Sequence, residues 1–248
     1  MRIGASLGAR LHNTSAAWLA PIPLEALVQD SESVTTNIFA LRGDSMILVN
    51  KYGRRTVNEK LPYHELAGAM LRWDPTTAEH PDLRMFMIFD KSARVHFSDG
   101  TSGNPIKPLT QHDPHLVEGE TLEELSAALR HRVRELGPVA MAGVEVAPKF
   151  ADELGRTIEE FNQNATTGTD PMFHRGESSI ELFRNGPARP GNTANPALYP
   201  LDSTGPYFAL ILAPGTLDTK GGPAIDSHAR VLQAADGHPI PGLFAAGN

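Results

Sequence analysis

The chain has 248 residues, 40% hydrophobic and 21% charged, enough apolar surface for one large domain or two small ones and too much for a disordered chain. Its 22 basic residues stand against 29 acidic ones, a net charge of −7 with no basic block, which argues against a general nucleic-acid binder. Without cysteine it has no disulfide, thiolate metal site, iron–sulfur ligand or cysteine nucleophile, and no apolar run approaches the roughly 20 residues of a membrane helix.

The N-terminus lacks the apolar stretch of a signal peptide, so a cytoplasmic protein is expected. Many turns and long irregular connections are expected from 22 glycines and 20 prolines. In chain order, Ile3, Leu7 and Leu11 lie four apart and predict a short helix, with Gly4 and Gly8 on an adjacent face and Pro21 and Pro23 beyond it. The apolar run 46–49, a turn over 51–54 and a returning strand over 55–57 predict a β-hairpin. Leu66, Met70 and Leu71 predict a helix within 62–72, and residues 85–89 a buried strand ended by Asp90. Residues 98–120 predict a loop.

Thr121-Leu122-Glu123-Glu124 is a capping-box signature, in which the threonine oxygen and the glutamate each serve a free helix N–H. Leu122, Leu125, Leu129 and Val133 continue that helix until Gly137-Pro138 stops it. A second amphipathic helix over about 148–164 carries Phe150, Leu154, Ile158 and Phe161 on one side, with Gly168 just past its end. Residues 165–206 lack periodicity and read as an irregular wrap. Strands are expected over 207–212, 229–232 and 243–246, the last after an Asp236-Gly237 turn.

His112 and His115 beside Asp113 have a spacing that can ligate metal on one helical turn, but no third ligand is regularly placed, so no metal is expected. Ser45, Ser178 and Ser179 lack the glycine pattern of a nucleophile elbow, which gives no support to a hydrolase.

The last forty or so residues carry the most specific pattern. They read Gly205-Pro206-Tyr207-Phe208-Ala209, then Thr219-Lys220-Gly221-Gly222, Asp226, Arg230-Val231-Leu232 and Asp236-Gly237, and close on Pro239-Ile240-Pro241-Gly242-Leu243-Phe244-Ala245-Ala246-Gly247-Asn248. Together they resemble the second half of a flavoprotein of the fumarate reductase and 3-ketosteroid dehydrogenase superfamily, where the chain returns to the FAD domain after a cap. Upstream, Val49-Asn50, Gly53-Arg54-Arg55, Val57-Asn58-Glu59 and Pro62-Tyr63 are similar to a hairpin of that family. Phe161-Asn162, Gly168, Asp170 and Phe173-His174-Arg175-Gly176 resemble a further segment, and Gly8-Ala9 with Ala17-Trp18 and Pro21 the helix before the cap.

The resemblance implies an α/β plus α+β fold: part of a Rossmann-like FAD/NAD(P)-binding domain with an inserted α+β cap. Residues 1–25 and 207–248 would belong to the FAD domain and 26–206 to the cap that closes over the substrate. The family's G-x-G-x-x-G is absent, as is the glycine-rich helix that follows its "AAGN", so the chain is expected to be the middle of a longer protein.

Where fumarate reductases commonly carry a histidine before "T.GG", this chain has Asp218, which would repel a dicarboxylate. The Lys-Gly-Gly form and Pro62-Tyr63 are closer to the ketosteroid dehydrogenase branch. That branch implies FAD as cofactor and dehydrogenation of a CH–CH bond in a 3-ketosteroid or another flat, apolar ketone. A hydride passes to flavin N5, and a tyrosine removes the neighbouring proton. By resemblance Tyr63 is the acid/base or its partner, and Gly221, Gly222, Ala246, Gly247 and Asn248 lie against the cofactor. The electron acceptor is left open.

Beside these stand plainer readings. Glu59 anchors the hairpin, Arg54 and Arg55 are surface charges of which one can pair with Glu59, His174 makes local hydrogen bonds, and Arg94 is a fallback anion site. Two alternatives remain: a fumarate reductase or succinate dehydrogenase-like flavoprotein acting on a small unsaturated acid, and a non-catalytic module that binds a partner.

Overall fold

The computed structural model describes residues 2–30, 38, 40–98 and 104–247. Its first elements are α1 (Arg2–Ser6), β1 (Leu11–His12), β2 (Ala17–Pro23), α2 (Leu24–Gln29), β3 (Met46–Val49), α3 (Tyr63–Met70), β4 (Met85–Asp90) and α4 (Lys91–Phe97). There follow β5 (Val117–Gly119), α5 (Leu122–Ala140), α6 (Phe150–Thr167), α7 (Ser179–Asn185), β6 (Tyr207–Thr219), β7 (Gly222–Pro223), β8 (Arg230–Leu232) and β9 (Pro239–Phe244). Residues 20–215 make one compact unit, and residues 1–19 with 216–248 make another. Residues 20–25 and 207–215 thus run in the larger unit.

The core of the larger unit is a five-stranded sheet in the order β2-β6-β4-β3, with β5 also on β6. β3 and β4 are antiparallel, Met46 opposite Phe89 and Val49 opposite Phe86. Both strands are apolar without alternation because both faces of the sheet are covered. Ile47, Val49, Phe86, Ile88, Ala209 and Ile211 face the α5 and α6 side, against Leu125, Leu129, Phe150, Leu154 and Phe161. Met46, Leu48, Met85, Met87, Phe89 and Leu210 face the other side, with Leu66 and Met70 of α3. The period of two along each strand sorts the residues between two cores.

Several expected elements form. Thr121 Oγ1 accepts from the Glu124 N–H at 3.1 Å, the expected cap, while Glu124 Oε2 accepts at 3.0 Å from the N–H of Glu120, one residue before the N-cap, rather than from a helix N–H. The helical path breaks at Gly137, with φ 75° and ψ 169°, as Gly-Pro predicts. α6 buries Phe150, Leu154, Ile158 and Phe161 and ends on Gly168 in the left-handed region.

Others differ. The expected returning strand 55–57 does not pair with β3. The chain turns there, Asn50 N–H donating to Arg54 O at 3.0 Å, but β3 pairs with the more apolar β4 while Arg55 is drawn into an ion cluster. The first helix stops at Ser6, because Gly8 has a φ of 77° that no helix continues through, and Leu11 joins β1 instead. Residues expected in the irregular wrap form α7, capped by Ser178, and α4, for which the sequence raised no expectation, is capped by Asp90 Oδ1 on the Ala93 N–H at 2.7 Å.

In the smaller unit β1 pairs with β7, Leu11 opposite Pro223 and His12 opposite Gly222, and β8 pairs with β9. The expected last strand is displaced to Pro239–Phe244, so Ala245 and Ala246 follow it. Among the described residues no helix is long and apolar enough to cross a membrane.

Candidate functional site

The stretches 49–63 and 161–176 meet around four charged side chains. Arg55 donates from Nε and Nη2 to the two oxygens of Glu59 at 2.8 and 2.9 Å, and from Nη2 to Asp170 at 2.8 Å. Arg175 donates from Nη1 to Glu59 Oε2 at 3.0 Å and to Met46 O at 2.7 Å. Its remaining N–H groups reach Ala197 O at 2.9 Å and Gly43 O at 3.0 Å. The Arg55 guanidinium carbon lies 5.1 Å from the ring centroid of Phe161 and 4.8 Å from that of Phe173.

Glu59, Asp170 and Arg175 are fully buried. Burial pushes the Glu59 carboxyl up, but the Arg55 and Arg175 guanidiniums outweigh it and hold the pKa at about 2. With Leu48 N–H also donating to Oε1 at 3.1 Å, the carboxylate is engaged on every side. This arrangement builds a scaffold and leaves no lone pair for a base, in line with Glu59 as an anchor. Arg55 is no surface charge, since its side chain is 7% exposed; Arg54 is one, and pairs with Glu153 at 2.9 Å.

Two further buried charges had no local signal in the sequence. Lys60 Nζ donates to Leu41 O and Gly43 O, both at 2.6 Å, and burial holds its pKa well below the usual lysine value. Arg189 Nε donates to Asp44 at 2.8 Å, and its guanidinium carbon lies 4.0 Å from the Tyr199 ring centroid. Their neighbourhoods are aperiodic, and a long-range partner leaves no trace in spacing.

Tyr63 opens α3 directly after Pro62, the N-cap, and is half-buried. The guanidinium carbon of Arg184 in α7 lies 5.4 Å from its ring centroid. Upstream of α3, a groove of about 550 Å³ runs between residues 56–61 and 172–181, with Val57, Leu61, Met172 and Phe173 in its wall and Asn58 and Glu181 beside them.

Gly221, Gly222, Ala246 and Gly247 belong to the smaller unit, whereas Tyr63 belongs to the larger. A Cβ on Gly221 would lie 2.3 Å from Asn13 O, so the chain itself demands glycine there. A Cβ on half-buried Gly222 would meet nothing within 4 Å, so no steric reason inside this chain demands glycine there. Ala246 and Gly247 are exposed after β9, and Asn248 lies outside the described residues.

Lys220 Nζ lies 5.4 Å from the Trp18 ring centroid, also in the smaller unit. His174 Nδ1 meets Glu177 at 3.1 Å, a local contact. Arg94 is not an anion site: its guanidinium donates to Lys107 O at 3.0 Å and Pro108 O at 2.8 Å and closes the following loop. His115 Nδ1 lies 3.2 Å from Glu25.

The chain belongs to the FAD-binding domain family, whose model matches residues 1–248. Among its relatives, 4-oxocyclohexanecarboxylate 2-dehydrogenase of Sinomonas cyclohexanicum is 34% identical over 100% of this chain and 39% of that protein. The 3-oxosteroid 1-dehydrogenase of Mycolicibacterium smegmatis is 32% identical over 98% of this chain and 38% of its own length. In structure, the chain is similar to 3-ketosteroid delta1-dehydrogenase from Sterolibacterium denitrificans, solved in complex with 1,4-androstadiene-3,17-dione. The TM-score is 0.73 at 26% identity, covering 98% of this chain and 39% of that one. The chain therefore spans about 39% of the length of these relatives. The mixed α/β class read from the sequence is the class observed.

Proposed function

We propose that this chain is the substrate cap and part of the flavin-facing domain of an FAD-dependent dehydrogenase that desaturates a carbon–carbon bond beside a ring carbonyl. The observation that carries the reading is similarity along the whole chain to two dehydrogenases that are both named for a ring ketone. Residues 20–215 supply the cap, and residues 1–19 with 216–248 the flavin side.

On this reading the cofactor lies against Gly222, whose Cβ direction is open, and against the exposed Ala246-Gly247 segment. FAD, when bound, supplies the hydride acceptor. The proton is the part that this chain handles. It leaves the carbon next to the carbonyl, which the carbonyl acidifies, and the Tyr63 phenolate accepts it to become the neutral phenol. The apolar wall of the cap keeps water from the reacting carbons.

A Gly222→Ala substitution is expected to weaken flavin retention about tenfold, ~1.4 kcal/mol, without lowering the unfolding midpoint. Gly221→Ala is expected to lower that midpoint itself, because its Cβ would collide with Asn13 O. Visible flavin absorption after gel filtration, with urea unfolding alongside, separates the two, and unchanged flavin retention in Gly222→Ala would remove Gly222 from the cofactor site.

The substrate class is tested with the FAD-loaded protein that contains this chain and an artificial electron acceptor. Reduction of the acceptor by 4-oxocyclohexanecarboxylate or by a 3-oxosteroid is the expected result. Reduction of fumarate by a reduced dye, with both ketones inert, would overturn the reading in favour of a small unsaturated acid.

A further inference from the structure

We propose that Arg184, on α7, is a positioning residue that sets the orientation of the Tyr63 ring. The inference rests on the reading of Tyr63 as the proton acceptor.

α7 is fastened to the segment that leads into Tyr63. Glu181, itself buried, accepts from Asn58 Nδ2 at 3.1 Å through Oε1 and from the Gly176 N–H at 2.6 Å through Oε2. Asn58 Nδ2 also donates to Phe173 O at 3.0 Å, so three segments are tied at one amide. Asn185, 1% exposed, pins the end of the helix through Nδ2 to Pro196 O at 2.8 Å. Residues three apart share a helix face, so the anchor at Glu181 brings Arg184 over the neighbouring segment. There its guanidinium carbon stands 5.4 Å from the centre of the phenol ring, within reach of a cation–π attraction.

The backbone of α3 is held by the core through Leu66, Ala67 and Met70. That fixes where Tyr63 starts; the ring's direction is set by χ1 and χ2, each with more than one well, and so by the groups the ring touches. A cation over one ring face favours the rotamer that keeps the face beneath it. For a base, ring rotation decides where Oη is, and a displacement of about 1 Å at a reacting group costs on the order of 100-fold in rate. Arg184 acts on the reaction through Tyr63 and needs no contact with substrate.

The test uses Arg184→Met, Arg184→Lys and Tyr63→Phe in the FAD-loaded protein. Arg184→Met is expected to lower kcat about tenfold with KM within about twofold, and Arg184→Lys, which keeps the cation, to recover most of that loss. Tyrosine-selective carbon-13 labelling gives a second readout, with Tyr63 assigned by the resonance lost in Tyr63→Phe. The Tyr63 ring resonances should move in Arg184→Met while those of Tyr52, Tyr199 and Tyr207 stay, which shows the fold intact. Unmoved Tyr63 resonances, or an unchanged kcat in Arg184→Met where Tyr63→Phe abolishes turnover, overturn this inference alone. An unchanged kcat in Tyr63→Phe overturns the reading of Tyr63 and this inference with it.

Discussion

Arg175→Met is expected to destabilise the protein by about 3–5 kcal/mol, the cost of leaving a buried charge without one of its partners. Methionine fills much of the same volume, so the loss is electrostatic and polar. Of its two guanidiniums Glu59 keeps only Arg55, and the carbonyls of Met46, Gly43 and Ala197 lose the donor that ties them together. Those carbonyls come from two stretches, 43–46 and 197, far apart in sequence, and the Arg175 side chain that joins them is fully buried. Urea unfolding at neutral pH measures the effect, and a midpoint within experimental error of the parent would show that the cluster does not support the fold.

The same cluster sets a pH dependence. The Glu59 carboxyl is held at about 2 in the folded chain, against 4.5 ordinarily, so its contribution is complete above the ordinary value and is lost as pH falls toward 2. The unfolding midpoint is expected to decline as the pH drops from about 5 toward 2–3, and Glu59→Gln to flatten that decline while lowering the midpoint at neutral pH. A decline equally steep in Glu59→Gln would assign the acid sensitivity to other carboxylates.

Tyr63→Phe is expected to lower kcat by about 10²–10⁴-fold, the range for a positioned proton-transfer group, while flavin stays bound and KM changes little. Phenylalanine keeps the ring that packs beneath Arg184 and removes only the hydroxyl. Steady-state turnover of a ring ketone with an artificial acceptor measures the loss, and a kcat within twofold of the parent would place the proton acceptor elsewhere.

The helices with long repeats were legible. Thr121 and Glu124 mark the start of α5, Gly137-Pro138 its stop, and Phe150, Leu154, Ile158 and Phe161 define the buried side of α6. Such features act within a few residues, where the backbone reads its own side chains. α4 and α7 were not legible, because seven-residue helices show barely two turns of any period. Tyr63 came into view only through the family-like Asn-Glu-x-x-Pro-Tyr pattern, and Arg184 lies in a stretch with no pattern at all.

Local physics written in the chain thus determined caps, stops, amphipathic faces and the buried strand at 85–89. Tertiary structure decided which strand pairs with which, and it decided that Arg55 is interior. Glu59 and Arg175 stand 116 positions apart in sequence, and Arg55 and Asp170 115. A charge looks like a surface residue until the fold removes its water and brings an opposite charge to it. That exchange depends on three-dimensional proximity, which no spacing along the chain encodes.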